Sequence, residues 1–342
     1  MKILIFNKNW IGDVIFAEPL IRTVKKQFPH SHVICVSPPR CKSFLAKHPC
    51  VNEVLTFDEK GAERSLLKRL QFIFTLRKRK IDRAYLVHRS YSRALMCFLA
   101  GIPERIGYDT KGRGRLLTTM CKNGRQSRGQ EHDVDYFLRL AGEQALAADE
   151  RDYRFYFTDE DSKYIDGIFK QYNLTENKVA VINPGANWLP KRWPVEYFAR
   201  FADLFYERFS LPVVISGNDD NQALADIIIR RTNFKQCVSL CGKTTLTQLG
   251  ALFARAMFVV TADSGPMHIA SGVGAPVIAL FGPTDPERTG PRGVGERIIL
   301  RNLDERCVVP CYESNCKTFT CMSNISPEMV MNTVEKLLAS RP

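Results

Sequence analysis

The feature that most constrains the fold is an alternation, run through twice along the chain, of short unbroken apolar runs with stretches of helical period. Lys2 to Phe6 is followed by a turn containing Gly12 and an amphipathic stretch from Val14 to Phe28, which reads as strand, loop and helix. Val33 to Val36 and Ala84 to Val87 read as further short buried strands. Arg40 to Lys47, Leu66 to Lys80, Ser92 to Ala100 and Asp133 to Ala141 read as helices. A second series starts at Val179 to Asn183 and alternates through Val195 to Phe209, Pro212 to Ser216, Asn221 to Arg230, Val238 to Leu240, Leu246 to Ala256, Phe258 to Thr261 and Met267 to Val273, ending at Val277 to Phe281. Continuous apolar strands separated by helices imply parallel sheets covered on both faces. The expected fold class is therefore α/β, with one doubly wound, Rossmann-like parallel sheet in each half. The polar segment Tyr172 to Lys178 places the boundary between domains 1–175 and 176–326, and the length suits two domains. A final helical pattern, Pro327 to Ala339, forms a third segment, 327–342, that can pack on either domain, with a return to the N-terminal one expected. Ligands of such sheets bind in the crevice outside the carboxyl ends of the strands, so the loops after strands are where chemistry is sought, in a cleft between the domains.

Several function classes drop out on composition. No apolar run approaches the ~18 residues of a membrane span, and the apolar run at the start breaks at Asn7, Lys8 and Asn9 before it can form a signal-peptide core; a cytoplasmic location is expected. The eleven cysteines then read as free thiols. The formal charge of +13 is uneven: residues 1–175 hold 31 Lys+Arg against 20 Asp+Glu, and 176–342 hold 18 against 16. Residues 60–115 alone carry 15 basic and 4 acidic residues, the whole N-terminal excess. Within them, Arg64 to Lys80 reads as an amphipathic helix with a basic face. It is either a solvated face or a surface for an anionic substrate or the anionic cytoplasmic leaflet; no DNA- or RNA-binding motif supports a nucleic-acid partner.

The loop after the first strand, Asn7 to Asp13, lacks G-x-G-x-x-G, so the dinucleotide fingerprint fails. It offers Asp13, which either caps the following helix or serves as a general base. Asn9 and Trp10 lie beside it, with Arg89 and Arg93 after the strand at 84–87. Gly242-Lys-Thr244 resembles the end of a P-loop, but that spacing needs Gly where Cys237 stands, so the P-loop reading is rejected. The loop Asn183 to Pro194 brings Asn187, Lys191 and Arg192 to a helix N-terminus, an arrangement suited to a phosphate dianion. Thr261-Ala-Asp-Ser-Gly-Pro-Met-His268 follows a strand directly. Asp263, Ser264 and Gly265 would sit at a strand-to-helix turn that binds anions, with His268 on the first helical turn. Phe281 to Pro291 is a Gly- and Pro-rich loop that shapes a pocket.

Asp263-Ser-Gly-Pro-Met-His268, Phe281-Gly-Pro-Thr-Asp-Pro286, Lys191-Arg-Trp-Pro194 and Gly12-Asp13, in this order and spacing, resemble glycosyltransferase family 9, the ADP-heptose:lipopolysaccharide heptosyltransferases. Ala100 to Tyr108 and His132-Asp-Val-Asp135 extend the resemblance over nearly the whole chain. It implies a GT-B fold, an N-terminal domain for a lipid-linked acceptor and a C-terminal domain for the nucleotide sugar. It also implies inverting, metal-independent transfer of heptose from ADP-heptose to the inner core of lipopolysaccharide, of the heptosyltransferase II kind, with release of ADP; on that reading Asn9, Trp10, Arg89 and Arg93 are candidate acceptor contacts and Thr244 a candidate donor contact. Asp13 matches the family's proposed base, Lys191 the lysine on the donor phosphates, and Asp263, Ser264, Gly265 and His268 the donor turn, where Ser264 keeps the hydroxyl of the Thr many relatives carry. The implied partners are ADP-heptose, an anionic lipid-linked core acceptor of a Gram-negative bacterium and, peripherally, the inner-membrane surface. Alternatives are a nucleotide-sugar epimerase of the same architecture, a member using another sugar donor or acceptor, and a basic nucleic-acid-binding protein. No cofactor is required on this reading. Cys307, Cys311, Cys316 and Cys321 are enough for zinc, but their spacings are wider than the usual knuckle, and reduced structural thiols are preferred.

Overall fold

The computed structural model describes residues 1–121, 131–146, 151–305, 307–311, 313, 316 and 318–341, and the chain divides into two compact units, Met1–Arg154 and Phe155–Pro342. In the first unit the strands β1 (Lys2–Phe6), β2 (His32–Ser37), β3 (Glu53–Thr56), β4 (Arg83–Leu86), β5 (Glu104–Tyr108) and β6 (Thr119–Cys121) form one parallel sheet in the order β3-β2-β1-β4-β5-β6. Ile3 faces Val33 on one side of the central strand and Arg83 on the other. Ile3, Leu4, Ile5 and Phe6 are all buried, because a strand covered on both faces has no side left for water. The helices are α1 (Ile11–Phe16), α2 (Glu18–Gln27), α3 (Lys42–Leu45), α4 (Leu66–Lys78), α5 (Tyr91–Leu99) and α6 (Asp133–Leu138). The single helix expected over 14–28 is thus two, since Pro19 sits at the opening of α2, where its missing N–H costs nothing. Phe6, Phe57 and Phe72 pack ring on ring in the core, with Phe57 and Phe72 centroids 4.8 Å apart.

The second unit opens with α7 (Asp159–Gln171) and continues β7 (Ala180–Asn183), α8 (Val195–Phe209), β8 (Val213–Ile215), α9 (Gln222–Arg231), β9 (Cys237–Ser239), α10 (Leu246–Ala254), β10 (Phe258–Ala262), α11 (Gly265–Gly272), β11 (Val277–Leu280), α12 (Pro286–Thr289), β12 (Arg297–Leu300), α13 (Thr320–Ser323) and α14 (Pro327–Ala339). Its sheet runs β12-β11-β10-β7-β8-β9, all parallel. Read from the β9 edge, this is the winding of the first sheet: the first strand is central, the next two go to one side and the last three to the other.

Two expectations about segmentation are corrected. The division falls at 154/155 and not at 175/176, because α7 belongs to the second unit: Thr247 donates to Asp161 at 2.9 Å and Arg255 pairs with Asp166 at 2.8 Å. The last helix is not a separate third segment, for Val330, Val334 and Leu337 of α14 lie in the same core as Phe198, Phe201 and Phe205 of α8. Trp193 ties in the chain before α14, donating its indole N–H to the carbonyl of Ile325 at 2.7 Å.

The helix α4 stands where the pattern put it, but its apolar residues split between two faces. Phe72 and Leu76 enter the core, while Leu66, Leu67, Leu70 and Phe74 point outward.

Candidate active site

In each unit the winding reverses beside the central strand, between β1 and β4 and between β7 and β10. Ligands of doubly wound sheets bind at that switch, and in both units it brings two loops together.

In the first unit these are the loops after β1 and β4. Asp13 lies in the first turn of α1, yet Trp10 is the N-cap and no side chain caps that end, so the capping alternative for Asp13 does not hold. Its carboxylate accepts instead from Lys8 Nζ at 2.8 Å, and the same ammonium is 3.6 Å from Asp133 and 4.6 Å above the Phe137 ring. Burial pushes the Asp13 carboxyl above the usual carboxylate range, Lys8 pulls it back, and the charge of Asp133 raises it. The result is a carboxylate kept near a cation but poorly hydrated, which makes it more basic than an exposed Asp.

Asn9 accepts from Arg93 Nη2 at 2.6 Å, and Arg93 Nη1 donates to the Asn7 carbonyl. The Arg93 guanidinium lies 5.0 Å from the Phe6 ring and 3.8 Å from Glu59, and the residue is 1% exposed. Through Nη1 and Nη2 Arg93 holds the loop after β1 to α5, while its buried Nε has no hydrogen-bond partner among the described residues. Trp10 is 53% exposed, with the Arg40 guanidinium 5.3 Å from its ring, and half-buried Arg89 lies 5.7 Å from the Tyr136 ring.

Three further residues at and beside these strand ends carry no motif of their own in the sequence. Lys8 and Asp133 form the ionic surroundings of Asp13. His88 follows β4, and its Nδ1 accepts from the Ser90 N–H at 3.1 Å. Burial and the nearby charges of Arg93, Lys8, Arg113 and Lys111 push the His88 imidazole down to about 3, so it is neutral near pH 7. The available signal was positional: Lys8 and His88 lie just beyond apolar strands, and Asp133 within a segment that carried the family resemblance.

In the second unit Lys191, from the loop after β7, pairs with Asp263, from the loop after β10, at 2.7 Å. The side chain of Asp263 is 5% exposed and that of Lys191 23%, and Thr289 Oγ1 is 3.4 Å from the same carboxylate oxygen. Ser264 is the N-cap of α11 in extended conformation; its hydroxyl caps nothing and lies 3.4 Å from Thr261 Oγ1. Gly265 opens the helix, Pro266 follows, and His268 is buried on the first turn. Arg192 donates Nε to the Ala186 carbonyl at 2.8 Å, shaping its own loop, and Asn187 is exposed on that loop. A Cβ on Gly185 would come within 2.5 Å of Asn221 Oδ1, so this close approach needs glycine. Thr244 stands apart in the loop after β9, at the sheet edge, and among the described residues no hydrogen bond or ion pair joins it to the Lys191–Asp263 cluster.

The cysteine segment lies against the loop after β11. Cys311 N–H donates to the Pro283 carbonyl at 2.8 Å, and a Cβ on Gly282 would be 3.0 Å from Cys321 Sγ. Cys307, Cys311, Cys316 and Cys321 are free thiols. Among the described residues no group of three or more His, Cys, Asp or Glu is placed to hold a metal ion.

Residues 69–320 match glycosyltransferase family 9 (heptosyltransferase). The chain is 28% identical over 310 residues to the lipopolysaccharide heptosyltransferase 2 of Escherichia coli (strain K12), covering 87% of this chain and 88% of that protein. It is 28% identical over 353 residues to the lipooligosaccharide heptosyltransferase 2 of Haemophilus ducreyi, covering 99% and 100%. Among solved structures, the E. coli ADP-heptose lps heptosyltransferase II superposes with a TM-score of 0.82 at 26% identity over 99% of both chains. A glycosyl transferase family 9 structure from Veillonella parvula superposes at 0.87 and 23% identity, covering 99% of this chain and 98% of that one, a likeness of fold. The match of fold and of sequence over most of the length leads to one conclusion: this chain belongs to glycosyltransferase family 9 and is a glycosyltransferase built of two Rossmann-like α/β units of the GT-B type.

Proposed function

We propose that this protein moves heptose from ADP-heptose onto the inner core of lipopolysaccharide, in the manner of heptosyltransferase 2, inverting the anomeric carbon and releasing ADP. The observation that carries the reading is the setting of Asp13: a carboxylate made more basic by burial, kept beside Lys8 at 2.8 Å, at the carboxyl end of a central strand. In the reaction the acceptor hydroxyl oxygen forms the new bond to the anomeric carbon, the bond from that carbon to the diphosphate oxygen breaks, and Asp13 takes the hydroxyl proton. Lys191 and the N–H groups opening α11 supply positive charge to the departing diphosphate. Ser264 and Gly265 give it hydrogen-bond donors at close range, Asp263 aims Lys191, and His268 supports the turn. Arg192 and Asn187 border the donor site, with Thr244 a more distant contact. Asn9, Trp10 and Arg89 border the acceptor.

The name of the E. coli structure supports the ADP-heptose donor, the names of the relatives support heptose transfer to lipopolysaccharide, and the family match favours transfer over the epimerase alternative. The acceptor is anionic and lipid-linked, so the protein works peripherally at the cytoplasmic face of the inner membrane; among the described residues no helix is long and apolar enough to cross one. No metal is called on in this scheme, because protein cations meet the leaving charge.

The test is ADP release from ADP-heptose with a panel of cores truncated at successive heptoses, comparing the native protein with Asp13→Ala. Acceptor-dependent release that falls by about two orders of magnitude or more in the variant is expected. Release that survives the substitution would remove Asp13 from the reaction, and turnover of ADP-heptose with no acceptor present would overturn transfer itself.

A further inference from the structure

The helix α4 is apolar on two opposite sides, and only one of them has a protein partner. Phe72 and Leu76 are buried in the core of the first unit, with Ile73 packed against it. On the other side Leu66, Leu67, Leu70 and Phe74 are 74%, 65%, 49% and 63% exposed. Their spacing of three and four residues lines them along a single stripe, more than two helical turns in length. Four large apolar side chains together on a helix that already has its core face are not scattered surface residues, and such a patch marks an interaction site.

The charges around the stripe identify what covers it. From Arg64 to Lys80 there are seven Lys and Arg and no Asp or Glu. Arg69 and Arg79 pair with Glu59 and Glu53 of their own unit; Arg64, Lys68, Arg77, Lys78 and Lys80 are exposed and form no ion pair among the described residues. A water-exposed apolar stripe edged by cations alone is complementary to a surface that offers hydrocarbon just beneath a layer of negative charge, which is an anionic lipid bilayer. A second copy of this chain would set these same cations against one another.

We propose that α4 lies in the interface of an anionic membrane, with Leu66, Leu67, Leu70 and Phe74 inserted among the acyl chains and Lys68, Arg77, Lys78 and Lys80 on the headgroups. This deepens the reading of the acceptor as lipid-linked by naming the element that holds the enzyme where such an acceptor is found. Binding to lipid needs neither donor nor acceptor, so it stands or falls separately from heptose transfer.

The test is sedimentation of the purified full-length protein with vesicles of phosphatidylethanolamine and phosphatidylglycerol, and with vesicles of phosphatidylcholine alone, at ~0.1 M salt. Two variants are compared, Leu67→Ser with Phe74→Ser and Lys68→Glu with Lys78→Glu, both confined to exposed positions. Light scattering gives the mass in solution. The native protein is expected to sediment with the anionic vesicles only, and each variant to lose about tenfold or more in partitioning. Absence of native binding to anionic vesicles would overturn the proposal. So would retained binding in the Leu67→Ser, Phe74→Ser variant, which would reduce the contact to surface charge. Finding that the native protein is a dimer, that the serine variant is a monomer and that neither binds vesicles would give the stripe to a second copy instead.

Discussion

At the scale of single residues, the two ion pairs separate chemistry from structure. Replacing Asp13 with Asn keeps the shape but removes the proposed base, and kcat is expected to fall ~10²–10⁴-fold with ADP affinity unchanged by calorimetry. Burial raises the folded pKa of Asp13, so folding favours its protonated form. Its contribution to stability is present below the ordinary carboxyl range and is lost as pH rises through the folded value. The Asn variant should therefore melt at the same temperature as the native protein or higher at pH 7, and a lower melting temperature would contradict this. Lys8 lowers the same pKa, so Lys8→Met is expected to move the acidic limb of the rate profile to higher pH. The opposite shift would deny that Lys8 holds Asp13 ionised. Lys191→Ala strands a buried Asp263 carboxylate and is expected to cost about 2 kcal/mol of stability as well as activity. Adding Asp263→Asn should return the melting temperature without returning the rate, whereas recovery of both would make the pair purely structural.

At the scale of elements, what could be read from the sequence depended on how completely an element is buried. The central strands β1, β7, β10 and β11 stand out because, apart from Lys2, Asn183 and Thr261, their residues are apolar where both faces are covered. The edge strands β3, β6 and β12 carry Glu53, Thr119 and Arg297 at half-exposed or exposed positions and lack that signature; β5 begins with Glu104, paired to Arg83 of the neighbouring strand. The helix α7 also went unread, although Thr158 and Asp161 form a capping box around its start, a signal legible in the sequence. Because α7 opens the second unit, the division lies ahead of the polar segment Tyr172 to Lys178. Around the candidate site, the loops after strands were legible because chemistry in this fold has a fixed address. The role of Arg93 was not, since only the fold shows its donors turned inward to Asn7 and Asn9. In the same way, Leu66 to Lys80 announces a helix, but only the packing of Phe72 and Leu76 reveals that the remaining apolar residues are surplus to the core.

At the scale of the whole molecule, each unit has its own sheet and its own hydrophobic core. A fragment spanning 155–342 is therefore expected to fold alone, with cooperative melting by circular dichroism, and to bind ADP in calorimetry; an unfolded fragment would show that the unit needs its neighbour. Transfer by the intact protein is expected to be unchanged in millimolar EDTA if, as proposed, Lys191 and the start of α11 meet the leaving charge; a loss restored by magnesium would place a metal in the reaction. The identical winding of the two sheets has a practical consequence. Each half has its proposed ligand loops at the same two strand ends, so the 154/155 junction is a natural seam for exchange. Chimeras joined there, taking the first half from a relative that extends a different core sugar, should inherit that relative's choice of acceptor while spending the same donor.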